Sequence, residues 1–231
     1  VPENSYGDTY GAHREFLDFT ASQPHELMKY CITHDMIYST SVWDVTSARE
    51  IAELQPEFIK VPSACNNNYE MLKILRDVYN GQVQVSMGMT TLNEVEDIIS
   101  FFELSNQAQK RLVIYACTSG YPVPPKDVSL LEINKMYGKY GKRVHEIGFS
   151  GHHLGVFIDI SAYTLGASWI ERHFTKDPAL KGTDHSASLE PEELHKLVQG
   201  LHEAYLALTF KESEILTIEK VQRDKLKYRE K

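Results

Sequence analysis

The sequence lacks a surplus of positive charge. Its 24 Lys and Arg stand against 32 Asp and Glu, a formal charge of -8, which gives no electrostatic footprint for nucleic acid or an anionic membrane. An anionic ligand must therefore find a local pocket. A disulfide framework is also missing: Cys31, Cys65 and Cys117 are odd in number and show no CxxC spacing, which points to a reducing, cytoplasmic setting. The opening stretch "VPENSYGDTYG" is neither a signal peptide nor an apolar span. No GxGxxG or GxxxxGK[ST] phosphate loop follows the first candidate strand, which argues against a nucleotide site of that kind.

What is present is a repeat of short apolar runs and longer amphipathic stretches. "DMIYSTSV", "EFIKVPSA", "VQVSMGM", "RLVIYACTS", "HEIGFSG" and "SWIERHF" each precede a segment with helical periodicity. That alternation predicts six βα units on a parallel sheet. With 231 residues and 42% hydrophobic content, and no Pro/Gly/Ser-rich linker, residues 1–231 read as a single α/β domain. Ser39, Thr40, Ser63, Ser86, Thr118, Ser119, Ser150, His152 and His173 all fall near the C-terminal ends of their strands. In a (β/α)8 TIM-type barrel those ends converge on one site, whereas an open doubly wound sheet gathers its contacts at a switch point. The expectation is a barrel of which six units are visible.

Residues two apart on a strand share a face. Ser150 and His152 therefore lie on one side of their strand, as do Trp169, Glu171 and His173 on the next. Two imidazoles at one height on successive strands, with a carboxylate nearby and no thiolate required, suit a divalent ion such as manganese acting as a Lewis acid, with magnesium and zinc as alternatives. By the same parity His153 points the other way, towards the helices. Lys60 lies in the apolar run "EFIKVPS", where its charge needs an anion; with Thr40, Ser63, Ser86 and Ser150 it forms a cationic, hydroxyl-lined pocket suited to a phosphate and a carboxylate. The proline-stiffened "CTSGYPVPP" brings Ser119 and Tyr121 over the strand ends. Asp184, in the loop after the last strand, is placed to bind a hydroxyl.

Taken together, "YGDTYGAHREFLDFT", "FIKVPSACNNNYEML", "VSMGMTTLNEVE", "CTSGYPVPPKDVSL", "IGFSGHHLG" and "IERHFTKDPALKGTDHSASLEPEEL" resemble the sialic acid synthase family, in collinear order over nearly the whole chain. The resemblance implies a metal on His152 and His173, phosphoenolpyruvate on Thr40, Lys60, Ser63, Ser86, Ser119 and Ser150, and an N-acylated amino sugar facing Tyr121 and Asp184. With Glu171 from strand parity, Cys65 at the place of a family carboxylate and Tyr121 facing the sugar, these three are the expected catalytic positions, and the family's dimer is the default assembly.

Three departures accompany the resemblance. The family's barrel has two further βα units before the segment that "YGDTYG" resembles, family members usually carry Glu or Asp where this chain has Cys65, and no C-terminal antifreeze-like domain is visible. They motivate an alternative: a non-catalytic descendant that keeps a sugar- or metal-binding pocket.

Overall fold

The computed structural model describes residues 4–20 and 22–228; the first three residues of the opening stretch lie outside them. Five strands, β1 (Phe58–Val61), β2 (Gln82–Ser86), β3 (Leu112–Cys117), β4 (Glu146–Gly151) and β5 (Trp169–Arg172), form one parallel sheet in the order β1-β2-β3-β4-β5. Before it come α1 (Tyr10–Leu17), α2 (Gln23–Thr33) and α3 (Val45–Leu54). Between successive strands lie α4 (Tyr69–Asp77), then α5 (Leu92–Glu103) with the short α6 (Ala108–Arg111), then α7 (Glu132–Tyr140) and α8 (Phe157–Thr164). After the sheet follow α9 (Pro191–Ala207) and α10 (Thr217–Leu226). Each strand pairs with the next in sequence, the winding of a barrel and not of a doubly wound sheet.

Local chemistry sets these boundaries. Asp44 caps α3 by accepting from Ser47 N at 2.8 Å, Asn68 caps α4 through Met71 N, and Thr91 and Glu94 close a reciprocal capping box on α5. Each satisfies backbone donors that the first helical turn leaves without partners.

The sixth expected strand is not formed. "DMIYSTSV" stays extended and touches β1 through a single parallel bridge, Ser41 to Lys60, with Lys60 N donating to Thr40 O and Val42 N to Lys60 O, each at 3.0 Å. A ladder on one side alone leaves half the backbone groups of such a segment to water, and its Met36 and Ile37 are exposed. The described residues thus make a five-stranded arc, a half-barrel, where the sequence suggested six units of a closed barrel.

Strand alternation sorts the side chains onto two faces. Ile59, Val61, Val83, Val85, Leu112, Ile114, Ile147 and Phe149 are buried with Leu72, Leu75, Ile98, Ile99, Phe102 and Ile133 from the helices, each such side chain contributing about 1.5–3 kcal/mol. The other face is polar. One cross-strand row reads Ser86–Tyr115–Gly148–Trp169 and the next Cys117–Ser150–Glu171. The arc curls about this face so that its ends meet: Phe58 on β1 and Trp169 on β5 pack edge to face at 5.4 Å. Among the described residues no helix is long and apolar enough to cross a membrane.

Candidate active site

The polar face opens at the C-terminal ends of the strands into a cleft of about 350 Å3. Lys60, Ser63, Ser86, Ser119, Tyr121, Ser150, His152, Glu171, His173 and Asp184 line it, together with Ser41, Trp43, Met89 and Cys117. Ten positions singled out from the sequence are therefore brought to one place. Thr40 and Cys65 are not among the lining residues. Thr40 lies in the extended segment beside β1, and the Cys65 thiol turns to the carbonyls of Val42 and Pro62 at 3.5 and 3.7 Å. Burial, with Asp44 adding to it and Lys60 opposing, pushes that thiol up to about 11.

Lys60 is 7% exposed, so it does not reach out to solvent. Its Nζ donates to Ser86 Oγ at 2.6 Å and lies 3.4 Å from Glu171 Oε2, while Ser150 Oγ donates to Glu171 Oε1 at 2.7 Å. The anion that a buried Lys requires is supplied by the chain itself, from the opposite end of the sheet. Beside this group, Ser63 Oγ accepts from Gly88 N at 3.0 Å, and the hydroxyls of Ser63 and Ser119 close over Gly88 so tightly that a Cβ there would lie 2.8 and 2.4 Å from them. Lys60, Ser86 and Ser150 thus form the floor, and Ser63 and Ser119 a wall, of a pocket rich in donors.

The two imidazoles stand at the rim. The ring centroids of His152 and His173 are 5.2 Å apart, and Tyr121 lies 4.4 and 6.0 Å from them. His152 Nδ1 is 3.0 Å from Thr118 O, a contact that puts a proton on Nδ1. Burial works against a charge on His152, but its contacts with Cys117 and the Thr118 carbonyl outweigh that and hold its pKa above the usual value. His173 is pushed down by burial, with Asp184 opposing and His152 reinforcing the shift; its Nδ1 lies 3.7 Å from Asp184 Oδ2. Once His152 has given up its extra proton, the pair would offer a divalent ion two nitrogen donors. No group of three His, Cys, Asp or Glu side chains that could hold a metal occurs among the described residues.

Asp184 opens the short turn His185–Ala187, while His185 turns aside to Thr175 Oγ1 at 2.7 Å. Beyond Trp43, Tyr121 and Asp184 the cleft continues into a chamber of about 1030 Å3, lined also by Tyr6, Asp8, His13 and Lys181. Burial and the nearby Asp184 carboxylate push the Tyr121 phenol up to about 12, so it is a hydrogen-bond donor at neutral pH.

Several lining residues, Cys117 and Trp43 among them, escaped the sequence reading. Cys117 extends the inward row of Tyr115 and sits 3.8 Å from Ser63 Oγ. Burial alone would raise its thiol, but His152, then Ser63 and Ser150, outweigh burial and leave it below its ordinary pKa. Its parity with Tyr115 was the available signal. Trp43 follows the bridge at Ser41 in a segment whose edge position no periodicity announces.

The sequence profile of the NeuB family matches residues 2–213. The chain is 36% identical over 201 residues to an N-acetylneuraminate-9-phosphate synthase of Drosophila melanogaster, covering 87% of this chain and 53% of that protein. It is 34% identical over 225 residues to the Homo sapiens protein of the same name, covering 97% of this chain and 61% of that one. The chain thus spans little more than half the length of these relatives. Among solved structures, an N-acetylneuraminic acid (sialic acid) synthetase from Leptospira borgpetersenii serovar Hardjo-bovis in complex with citrate superposes with a TM-score of 0.81 at 26% identity, over 97% of this chain and 78% of that one.

Proposed function

The chain belongs to the NeuB family, and from that premise we propose that it serves the condensation of phosphoenolpyruvate with an N-acylated amino sugar of the N-acetylmannosamine type, giving a nonulosonic acid and inorganic phosphate. The observation that carries this reading is the meeting, in one cleft, of the Lys60 donor pocket with the His152 and His173 pair. A small dianion and an aldehyde need those two environments side by side.

In this reading Lys60, Ser63, Ser86, Ser119 and Ser150 hold the phosphate and carboxylate of phosphoenolpyruvate. A divalent ion on His152 and His173, manganese in the first instance, would act as a Lewis acid on the sugar's aldehyde oxygen. Tyr121 and Asp184 border the chamber beyond the cleft and orient the open-chain sugar there by its hydroxyls. The methylene carbon of phosphoenolpyruvate bonds to the aldehyde carbon, whose oxygen becomes a hydroxyl. Water adds to the cationic centre left behind, and the adduct expels phosphate by C–O cleavage. Glu171, beside Lys60 and Ser150, is the carboxylate placed to take the proton of that water. The names of the two relatives favour a 6-phosphorylated sugar as the acceptor.

The position of Cys65 supports a second reading, a pocket that binds without turning over, because its thiol faces carbonyls and stays protonated. One experiment separates the two. The chain is incubated with manganese, phosphoenolpyruvate and N-acetylmannosamine 6-phosphate in 18O-water, and the products are weighed by mass spectrometry. Condensation puts the label in the keto group of a nonulosonate and none in the phosphate. Labelled phosphate without a nonulosonate would indicate simple hydrolysis, and ligand binding without any product would favour the second reading.

A further inference from the structure

Arg172 interrupts the apolar outer face of the sheet. By parity it shares that face with Ile170 and points to the helix layer, where an unpaired guanidinium would be strongly unfavourable. It is met there by Asp159 of α8 and by His153. Arg172 Nη1 lies 2.5 Å from Asp159 Oδ2 and 3.1 Å from His153 Nε2, and the His153 and Asp159 atoms are 3.2 Å apart. The side chains are 3%, 0% and 1% exposed. The cluster is sealed from water.

Its remaining contacts reach the backbone beside the candidate site. The ladder between β4 and β5 ends at the pair Gly151 and Arg172. His152 and His173 each lie one residue past that pair, and their carbonyls accept from Val123 N at 2.9 Å and Leu189 N at 2.8 Å, each within a different loop. Beyond the ladder's end Arg172 continues the link, with Nη2 donating to His153 O at 2.5 Å and Nη1 to Gly155 O at 2.8 Å. One guanidinium, on the residue preceding His173, therefore grips the turn that begins at His152.

Stability is a poor account of this arrangement. Replacing a buried ion pair by apolar groups of similar volume is often neutral or favourable, and His153 Nδ1, Asp159 Oδ1 and Arg172 Nε are buried without partners in this cluster. What the contacts do fix is the relative position of two adjacent strand ends. We propose that Arg172, anchored by Asp159 and His153, is a positioning residue that sets the spacing of the His152 and His173 imidazoles from the far side of the sheet. The inference rests on the reading of those imidazoles as a shared metal site.

The test measures Mn2+ affinity of the full chain by electron paramagnetic resonance, alongside urea unfolding and phosphate binding. In the parent, His152→Ala and His173→Ala should each abolish tight Mn2+ binding. The double variant Arg172→Met/Asp159→Leu removes the grip without stranding a buried charge. It should unfold near the parent's midpoint and bind phosphate as the parent does, yet bind Mn2+ about 10- to 100-fold more weakly, the usual effect of losing a group that orients a metal ligand. Should the double variant fail to fold, Arg172→Lys carries the test: it keeps the charge beside Asp159 but lacks the fork that reaches two carbonyls, and the same loss is expected. A folded variant with parental Mn2+ affinity would overturn the positioning role while leaving the metal site standing. Parental binding insensitive to both His→Ala changes would overturn the metal reading and the inference with it.

Discussion

Lys60 on β1 and Glu171 on β5 meet across the concave face of the sheet, Nζ to Oε2 at 3.4 Å. The pair joins the first and last strands, and Ser86 and Ser150 bind its outer atoms. An anionic substrate placed here would contact a lysine already oriented by hydrogen bonds on rigid strands, which limits the entropy lost on binding.

Lys60→Ala should therefore weaken phosphoenolpyruvate binding by about 10- to 100-fold, the range expected for a charge-assisted hydrogen bond lost in a partly dry pocket. Lys73→Ala, at an exposed position on α4, serves as the control. Calorimetric titration of both variants checks this, and equal affinities would contradict it.

Two glycines should separate site from fold. Gly148→Ala would put a Cβ 2.6 Å from the Tyr115 ring, whose hydroxyl is held by Gln84 at 2.7 Å, so urea unfolding should show a loss of about 1–3 kcal/mol, as for an overfilled core. Gly88→Ala meets only the hydroxyl ends of Ser63 and Ser119 under 3.0 Å, which can rotate. It should leave the unfolding midpoint close to the parent's and weaken phosphate binding.

Much of this geometry was legible beforehand. Parity put Ser150 with His152, Glu171 with His173, and His153 on the far side, because a strand's period of two fixes which residues share a face. The Asn, Asp and Thr caps were readable for a similarly local reason. The Lys60–Glu171 pair was not, since nothing local says which inward residues of the first and last strands will touch once the sheet curls. The Asp159 partner of Arg172 stayed hidden because it lies on a helix whose rotation depends on packing. The composition of the edge segment 35–42 is that of a strand, but a ladder also needs neighbours, and it has one on a single side.

Cys65 should behave as an ordinary buried thiol. With its pKa pushed up to about 11, it is protonated throughout the neutral range, and the reactive thiolate accumulates only as pH rises towards that value. In a Cys31→Ser/Cys117→Ser background, the rate of alkylation by iodoacetamide should keep climbing up to about pH 10. A plateau below about pH 9 would show a thiolate stabilised by Lys60 and would restore Cys65 as a candidate base.

Asp184→Asn should raise the KM for the amino sugar and leave the binding of phosphoenolpyruvate unchanged, because Asp184 lines the outer chamber, which Lys60 does not line. Steady-state kinetics with each substrate varied in turn reads this directly. An equal rise for both substrates would place Asp184 in a general structural role.

The central claim is that the anion pocket and the imidazole pair serve one reaction centre. Longitudinal relaxation of the 31P nucleus of phosphoenolpyruvate tests it most directly, measured with the chain at matched free Mn2+. The account predicts that Mn2+ sharply accelerates relaxation in the parent, and that the acceleration disappears both in His152→Ala, which should still bind phosphoenolpyruvate, and in Lys60→Ala, which should still bind the metal. Undiminished acceleration in His152→Ala, or none in a parent that demonstrably binds both, would contradict it.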